Sequence, residues 1–156
     1  MNAPFATLTV LQRFVASTLG ASSDVLTAIG GSGRIYPNVS PAGIGSIRHL
    51  THQDYGSVQV SKPSGSAIGM VTMRWAFTAW EPSYSQQALE PLMEAVMKVL
   101  IGTNLRGKEH RYIDGSRTWS IYVDYAGPDI VELEVAPAGT WAPLRETYTM
   151  ALQQTA

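Results

Sequence analysis

At 156 residues the chain is long enough for one compact domain with its own core and short for two. Eleven basic residues face twelve acidic ones, net −1, with no basic run, so a phosphate-neutralising face for nucleic acid has no support. There is no cysteine, which excludes disulfides and thiol chemistry, and no stretch approaches the ~18 consecutive apolar residues that would suggest a membrane span.

Met1 to Leu19 has the apolar look of a leader, but it lacks a basic start and Arg13 interrupts it. It reads instead as a helix from about Thr7 to Leu19. Leu8, Leu11 and Val15 share one face, Val10, Phe14 and Leu19 broaden it, and Gly20 stops it. Asp24 is placed to cap a short second helix, Val25 to Ile29, ended by Gly30-Gly31. Arg34-Ile35-Tyr36 reads as a short strand halted by Pro37.

Asn38 to Ser57 is rich in Gly, Ser, Pro and His, has no clear period, and reads as an irregular loop. Val58 to Val60 alternates weakly, and Lys62 to Ser66 is a turn or loop tip. Taken together, residues 38–69 form one long loop or arm. The segment Pro41 to Ser66 has the composition of an arm that orders when a neighbour arrives, and its deletion is expected to leave a folded monomer.

Met70 to Trp80 is the clearest strand: Val71, Met73, Trp75, Phe77 and Ala79 fall on one face, Thr72, Arg74 and Thr78 on the other. A helix follows from about Ser85 to Ile101. Its apolar pairs (Ala88-Leu89, Leu92-Met93, Val96-Met97, Leu100-Ile101) draw one broad stripe opposite Glu90, Glu94 and Lys98. Pro91 implies either an irregular first turn or a regular helix that begins near it. Three strands close the chain, around Trp119 to Val123, Ile130 to Val135 and Leu144 to Leu152. Turns are expected at Ala126 to Asp129 and Pro137 to Gly139. The order implies a single α+β domain over residues 1–156: a two-layer sandwich of a mainly antiparallel sheet with two main helices on one face.

The search for chemistry yields little. His49, His52 and Asp54 form an H-x-x-H-x-D cluster of good transition-metal ligands, but in a loop without helical pattern the spacing carries little weight. Solvated or interface residues are the favoured reading, and no metal is assigned. His110, with Glu109 and Asp114, has no nucleophile in a recognisable elbow and reads as a solvated turn after the second main helix. The glycines at 30–33 and 43–45 lack the partners of a phosphate loop. Glu132 and Glu134 share the outer face of one strand, where a solvated side is the ordinary explanation. No catalytic constellation is assigned, so a non-enzyme is expected, with no cofactor. Arg74 on the polar strand face, Trp80 and Tyr84 at and beyond the strand end, and Tyr55 and Lys62 in the arm are the candidate interface residues.

One ordered set of features resembles a family. An amphipathic N-terminal helix leads through a Gly-rich turn to Arg34-Ile35-Tyr36-Pro37. After a long variable segment comes the aromatic-rich strand Val71 to Trp80, running directly into a helix that ends in Leu100-Ile101-Gly102. Strands around Trp119 and Val131 and a last strand finish the chain. This resembles the tail-terminator proteins of long-tailed bacteriophages, over roughly Leu8 to Leu152. The resemblance implies a homo-oligomeric ring, hexameric in that family, that caps the tail tube protein, ends its polymerisation and offers a surface to a head-closure or neck protein. It implies a place at the head-proximal end of the tail in the virion, and in host cytoplasm during assembly. It implies no membrane and no sequence-specific nucleic-acid binding, with DNA passing through the ring at most. A low charged share, 15% against roughly a quarter in ordinary domains, suits a surface covered by partners, although compositional drift explains it equally. The alternatives are a head-closure or neck adaptor, a small metal-dependent enzyme using His49, His52 and Asp54, and a plain ligand-binding module.

Overall fold

The computed structural model describes residues 4–56, 58–61, 69–82, 85–103, 106–129, 134–136 and 139–156. Helices α1 (Pro4–Gly20) and α2 (Ser23–Ile29) come first, followed by strands β1 (Ile35–Pro37), β2 (His49–Asp54), β3 (Gln59–Ser61) and β4 (Met70–Glu81). A 3₁₀ turn, Gln86–Leu89, passes into α3 (Glu90–Ile101). Strands β5 (Lys108–Asp114), β6 (Arg117–Asp129), β7 (Glu134–Ala136) and β8 (Gly139–Gln154) complete the chain. The sheet path is β1-β2-β4-β8-β6-β5, with β3 beside β4 and β7 beside β8. Its pairings are antiparallel except β1 with β2, so the α+β, mainly antiparallel sandwich stands.

The apolar periodicity on each element decides the layering. Val71, Met73, Trp75, Phe77 and Ala79 are all buried and share one core with Trp119, Ile121 and Val123 of β6 and Tyr148, Met150 and Leu152 of β8. Against that face pack Leu11, Phe14 and Val15 of α1, Val25 and Ile29 of α2, and Leu92, Val96 and Leu100 of α3. Burying such side chains, at ~1.5–3 kcal/mol each, is the dominant gain on folding. Pro91 sits at the start of α3, where its missing N–H goes unneeded, and the turn before it is irregular, so both expectations hold together.

Several expectations are corrected. The cap of α2 is Ser22, whose hydroxyl accepts from the Val25 N–H at 3.3 Å, while Asp24 lies in the first turn. Ala126 to Asp129 is no turn: β6 runs through it with a register shift between Tyr125 and Gly127, a bulge that Gly127 permits at φ 117°. The segment around His110 is strand β5. Its imidazole is half-buried, packs edge-on to Phe14 and lies 2.8 Å from the Leu100 carbonyl; Nε2 donates there, satisfying an acceptor at the α3 C-terminus.

The largest correction concerns the arm. Residues 49–54 are a strand paired along β4, from His49 opposite Trp80 to Asp54 opposite Trp75, and β3 continues on the same side of β4. His49, Leu50, Thr51 and His52 are all buried. Deletion of Pro41 to Ser66 would therefore remove a fully paired sheet strand, and a folded monomer is no longer expected. The turn at 62–66 and most of the strand expected at 130–135, with Val131, Glu132 and Leu133, lie outside the described residues; only Glu134–Ala136 is seen, as β7.

Candidate interface on the outer sheet face

Register places the candidate residues. On β4 the odd positions face the helices, so Arg74, Ala76, Thr78 and Trp80 face the other way. Opposite them on that outer face stand Thr149, Thr147, Arg145 and Pro143 of β8, and from β2 His49, Thr51 and Gln53. This is why Arg74, Trp80 and Tyr55, far apart in sequence, share one surface.

At its centre is a polar cluster spanning strands. Tyr55 follows β2, its N–H held by the Arg74 carbonyl at 2.9 Å. Its ring lies with the guanidinium carbons of both Arg74 and Arg145 5.6 Å from its centroid, within cation–π range. Its hydroxyl donates to Asp129 Oδ2 at 2.5 Å, and Asp129 lies 3.7 Å from Arg145. Arg145 Nε donates to Thr78 Oγ1 at 2.9 Å, Arg74 donates to Thr147 Oγ1 at 3.2 Å, and the Thr147 hydroxyl donates to the Gly127 carbonyl at 3.0 Å. Two cations stand against one carboxylate, so the patch carries positive charge, and Arg74 remains exposed. A planar guanidinium held at one end and exposed at the other is suited to receiving a carboxylate from a partner.

Beside this cluster lies an aromatic one. His49 stacks on Trp80, with ring centroids 6.1 Å apart and planes 13° apart, and meets Tyr36 edge-on. Its Nδ1 lies 2.8 Å from the Ile47 carbonyl, which can only accept, so Nδ1 carries the proton and Nε2 accepts from Ser40 at 2.7 Å. Burial lowers the His49 pKa against that carbonyl bond. Trp80 Nε1 donates to Thr51 Oγ1 at 3.0 Å. Trp80 is thus a fixed, half-buried anchor.

His52 points the opposite way. Its Nδ1 accepts from Trp75 Nε1 at 3.2 Å, it stacks near Phe77, and burial lowers its pKa to about 4. The proton therefore sits on Nε2, which has no partner among the described residues. An H-x-x-H spacing on a strand separates the two imidazoles by the thickness of the sheet. The two histidines, expected as solvated or interface residues of a loop, lie on a strand and are both 1% exposed, and His49, His52 and Asp54 cannot close on one metal ion. No potential metal-holding group of three occurs among the described residues. Lys62 and Tyr84, the other two interface candidates, lie outside the described residues.

Arg145 and Asp129 were not singled out by sequence. Arg145 lies in a strand whose apolar face draws attention away from its polar one. Asp129 sits in a Gly-Pro-Asp that reads as a turn until the bulge is seen. Alternation along β8 was the usable signal: it puts Arg145 opposite the face of Leu144.

The geometry defines an α+β domain with helices covering one sheet face and a polar, partly aromatic surface on the other. No protein-family model matches the chain, and no curated protein matches it in sequence. Its fold is shared with solved chains, among them one from the virion of a native gene transfer agent particle. That likeness covers 89% of this chain and 91% of that one at 12% identity, with a TM-score of 0.56.

Proposed function

We propose that this chain is a structural protein of a tailed-phage-like virion. In this reading it forms a ring, hexameric by family resemblance, that caps the tail tube, ends its growth and receives the head-side neck protein. It is then no enzyme and uses no cofactor. The observation that carries the reading is the shared fold over nine-tenths of both chains with a component of a virion particle. The tail-end position rests on the sequence order of elements and on the outer face, where Tyr55, Arg74 and Trp80 offer anchored aromatic and cationic groups of the kind that dominate interfaces.

Electron microscopy of particles assembled without the gene tests this. Overlong, headless tails are the expected result. Normal-length tails beside unattached full heads would move the chain to the neck, and fully normal particles would end the assembly reading.

A further inference from the structure

A cavity of about 270 Å³ opens between α3 and β8, on the opposite sheet face from the Tyr55 cluster. Met93, Met97 and Leu144 supply apolar lining, and Glu90, Glu94 and Glu146 supply carboxylates. One oxygen of Glu146, Oε2, is buried without a hydrogen-bond partner among the described residues. Burial pushes this carboxyl up in pKa, and the Tyr148 hydroxyl is likewise buried without a partner among the described residues. Among the described residues Glu94 is tied to Lys98, at 3.1 Å on the exposed helix surface, a pair worth little. Apolar walls with flexible methionines and an acidic rim fit the aliphatic stem and charged head of an arginine or lysine.

The complementary surface lies at the other end of the same chain. Residues 106–117, the approach to β5, β5 itself and its turn into β6, carry four basic residues, Arg106, Lys108, Arg111 and Arg117, against two acidic ones. Both carboxylates of that stretch are engaged, Glu109 by Ser120 at 2.5 Å and Asp114 by Arg13 at 2.8 Å. Arg111 is exposed and forms no ion pair among the described residues. Ile113, two positions on and so on the same face, is 61% exposed, an unusual position for a large aliphatic side chain. β5 is also an edge strand, open on the side away from β6. Arg111 pairs with Ser120, whose neighbour on β8 is Gln153, whereas the cavity lies at Leu144 and Glu146. At the usual rise these ends of β8 are about 25 Å apart, so one copy cannot fill its own cavity.

We propose that Arg111, flanked by Ile113, enters the α3–β8 cavity of a second copy. Basic hairpin and acidic cavity at opposite ends of one chain make a head-to-tail contact, the kind that closes a ring by rotation. The proposal rests on the ring reading above and supplies its contact.

The absence of cysteine makes the test clean. A Met97→Cys/Thr118→Cys chain, which keeps Arg111 and Ile113 and puts the second thiol on β6 opposite Ile113, is treated with a short bismaleimide, both as concentrated purified protein and in assembled particles. A ladder of cross-linked copies is expected, ending at a closed ring. A Met97→Cys/Ser17→Cys chain, with its second thiol exposed on α1, should give none. In a wild-type background, Arg111→Glu should abolish self-association and Arg111→Glu/Glu94→Arg should restore it. No ladder in particles that contain the protein, or equal ladders from both cysteine pairs, overturns the proposal. Overlong tails on gene deletion without a ladder leave the capping role and remove this contact; a ladder with normal particles does the reverse.

Discussion

His52 shows what a single buried side chain does to the pH dependence of the fold. Its folded pKa is about 4 against an ordinary 6.5, because charging it would strand an ion among Trp75 and Phe77. Above pH 6.5 neither folded nor unfolded chain holds this proton, and stability is indifferent to it. As pH falls from 6.5 toward 4 the unfolded chain takes up a proton that the folded one refuses, so stability falls. The full shift corresponds to about 3 kcal/mol. His49 and His110 are lowered too and act in the same direction. Urea unfolding at pH 7 and at pH 4.5 should show the loss in the natural chain. His52→Gln should show a shallower slope across that window, and an unchanged slope would mean that other groups carry it. The residue types were legible in the sequence, but their environment was not. Two histidines in a run of polar and glycine residues look solvated, because the signal for burial lies in Trp75, Phe77 and Trp80 of a strand two dozen residues away.

At the scale of elements, periodicity was legible wherever one face is apolar over several turns or strand repeats. That covers α1, α3, β4 and the core strand of β6. It failed for β2 and β5, which sit toward the sheet edges. There the helix-facing positions mix Leu50 with His52, His110 and Tyr112, and Ile113 interrupts the polar outer face, so alternation is hidden in the hydropathy although present in space. Glycine stops are legible at the helix ends, although Ala126 to Asp129 is a strand bulge and no turn. Gly30 ends α2 at φ 95°, its N–H within reach of the Leu26 and Thr27 carbonyls, with Gly31 N–H also on Leu26. A Cβ there would meet Arg34 Nη1 at 2.8 Å, displacing a guanidinium that donates to the Ile29 carbonyl at 3.1 Å. Gly30→Ala should therefore cost about 1–2 kcal/mol, from the left-handed backbone and the disturbed cap together. Thermal unfolding measures it, and Gly33→Ala, also at positive φ but with open space around its Cβ, isolates the backbone share.

For the whole molecule, the division of the expected arm into a structural and a free part decides what can be removed. β2 lies between β1 and β4 and buries four consecutive side chains, so it belongs to the sheet. Residues 41–46 have no regular hydrogen-bonded structure and carry glycines at φ 74° and 71° with open space around them. Val39, just before them, is 72% exposed. Among the described residues, the Ser40 hydroxyl bonds this stretch to the sheet through His49. Replacing Pro41 to Ser46 by a shorter glycine–serine link should thus leave thermal unfolding within a few degrees of the natural chain, since loop length costs little. Removing Pro41 to Ser66 should abolish the cooperative transition altogether. The trimmed chain then asks a functional question that the full deletion cannot. If it still restores normal tails in particles lacking the gene, the docking surface is the Tyr55–Arg74–Trp80 face and the α3 cavity. If it folds but leaves tails overlong, the loop itself must meet the tube or a neighbouring copy.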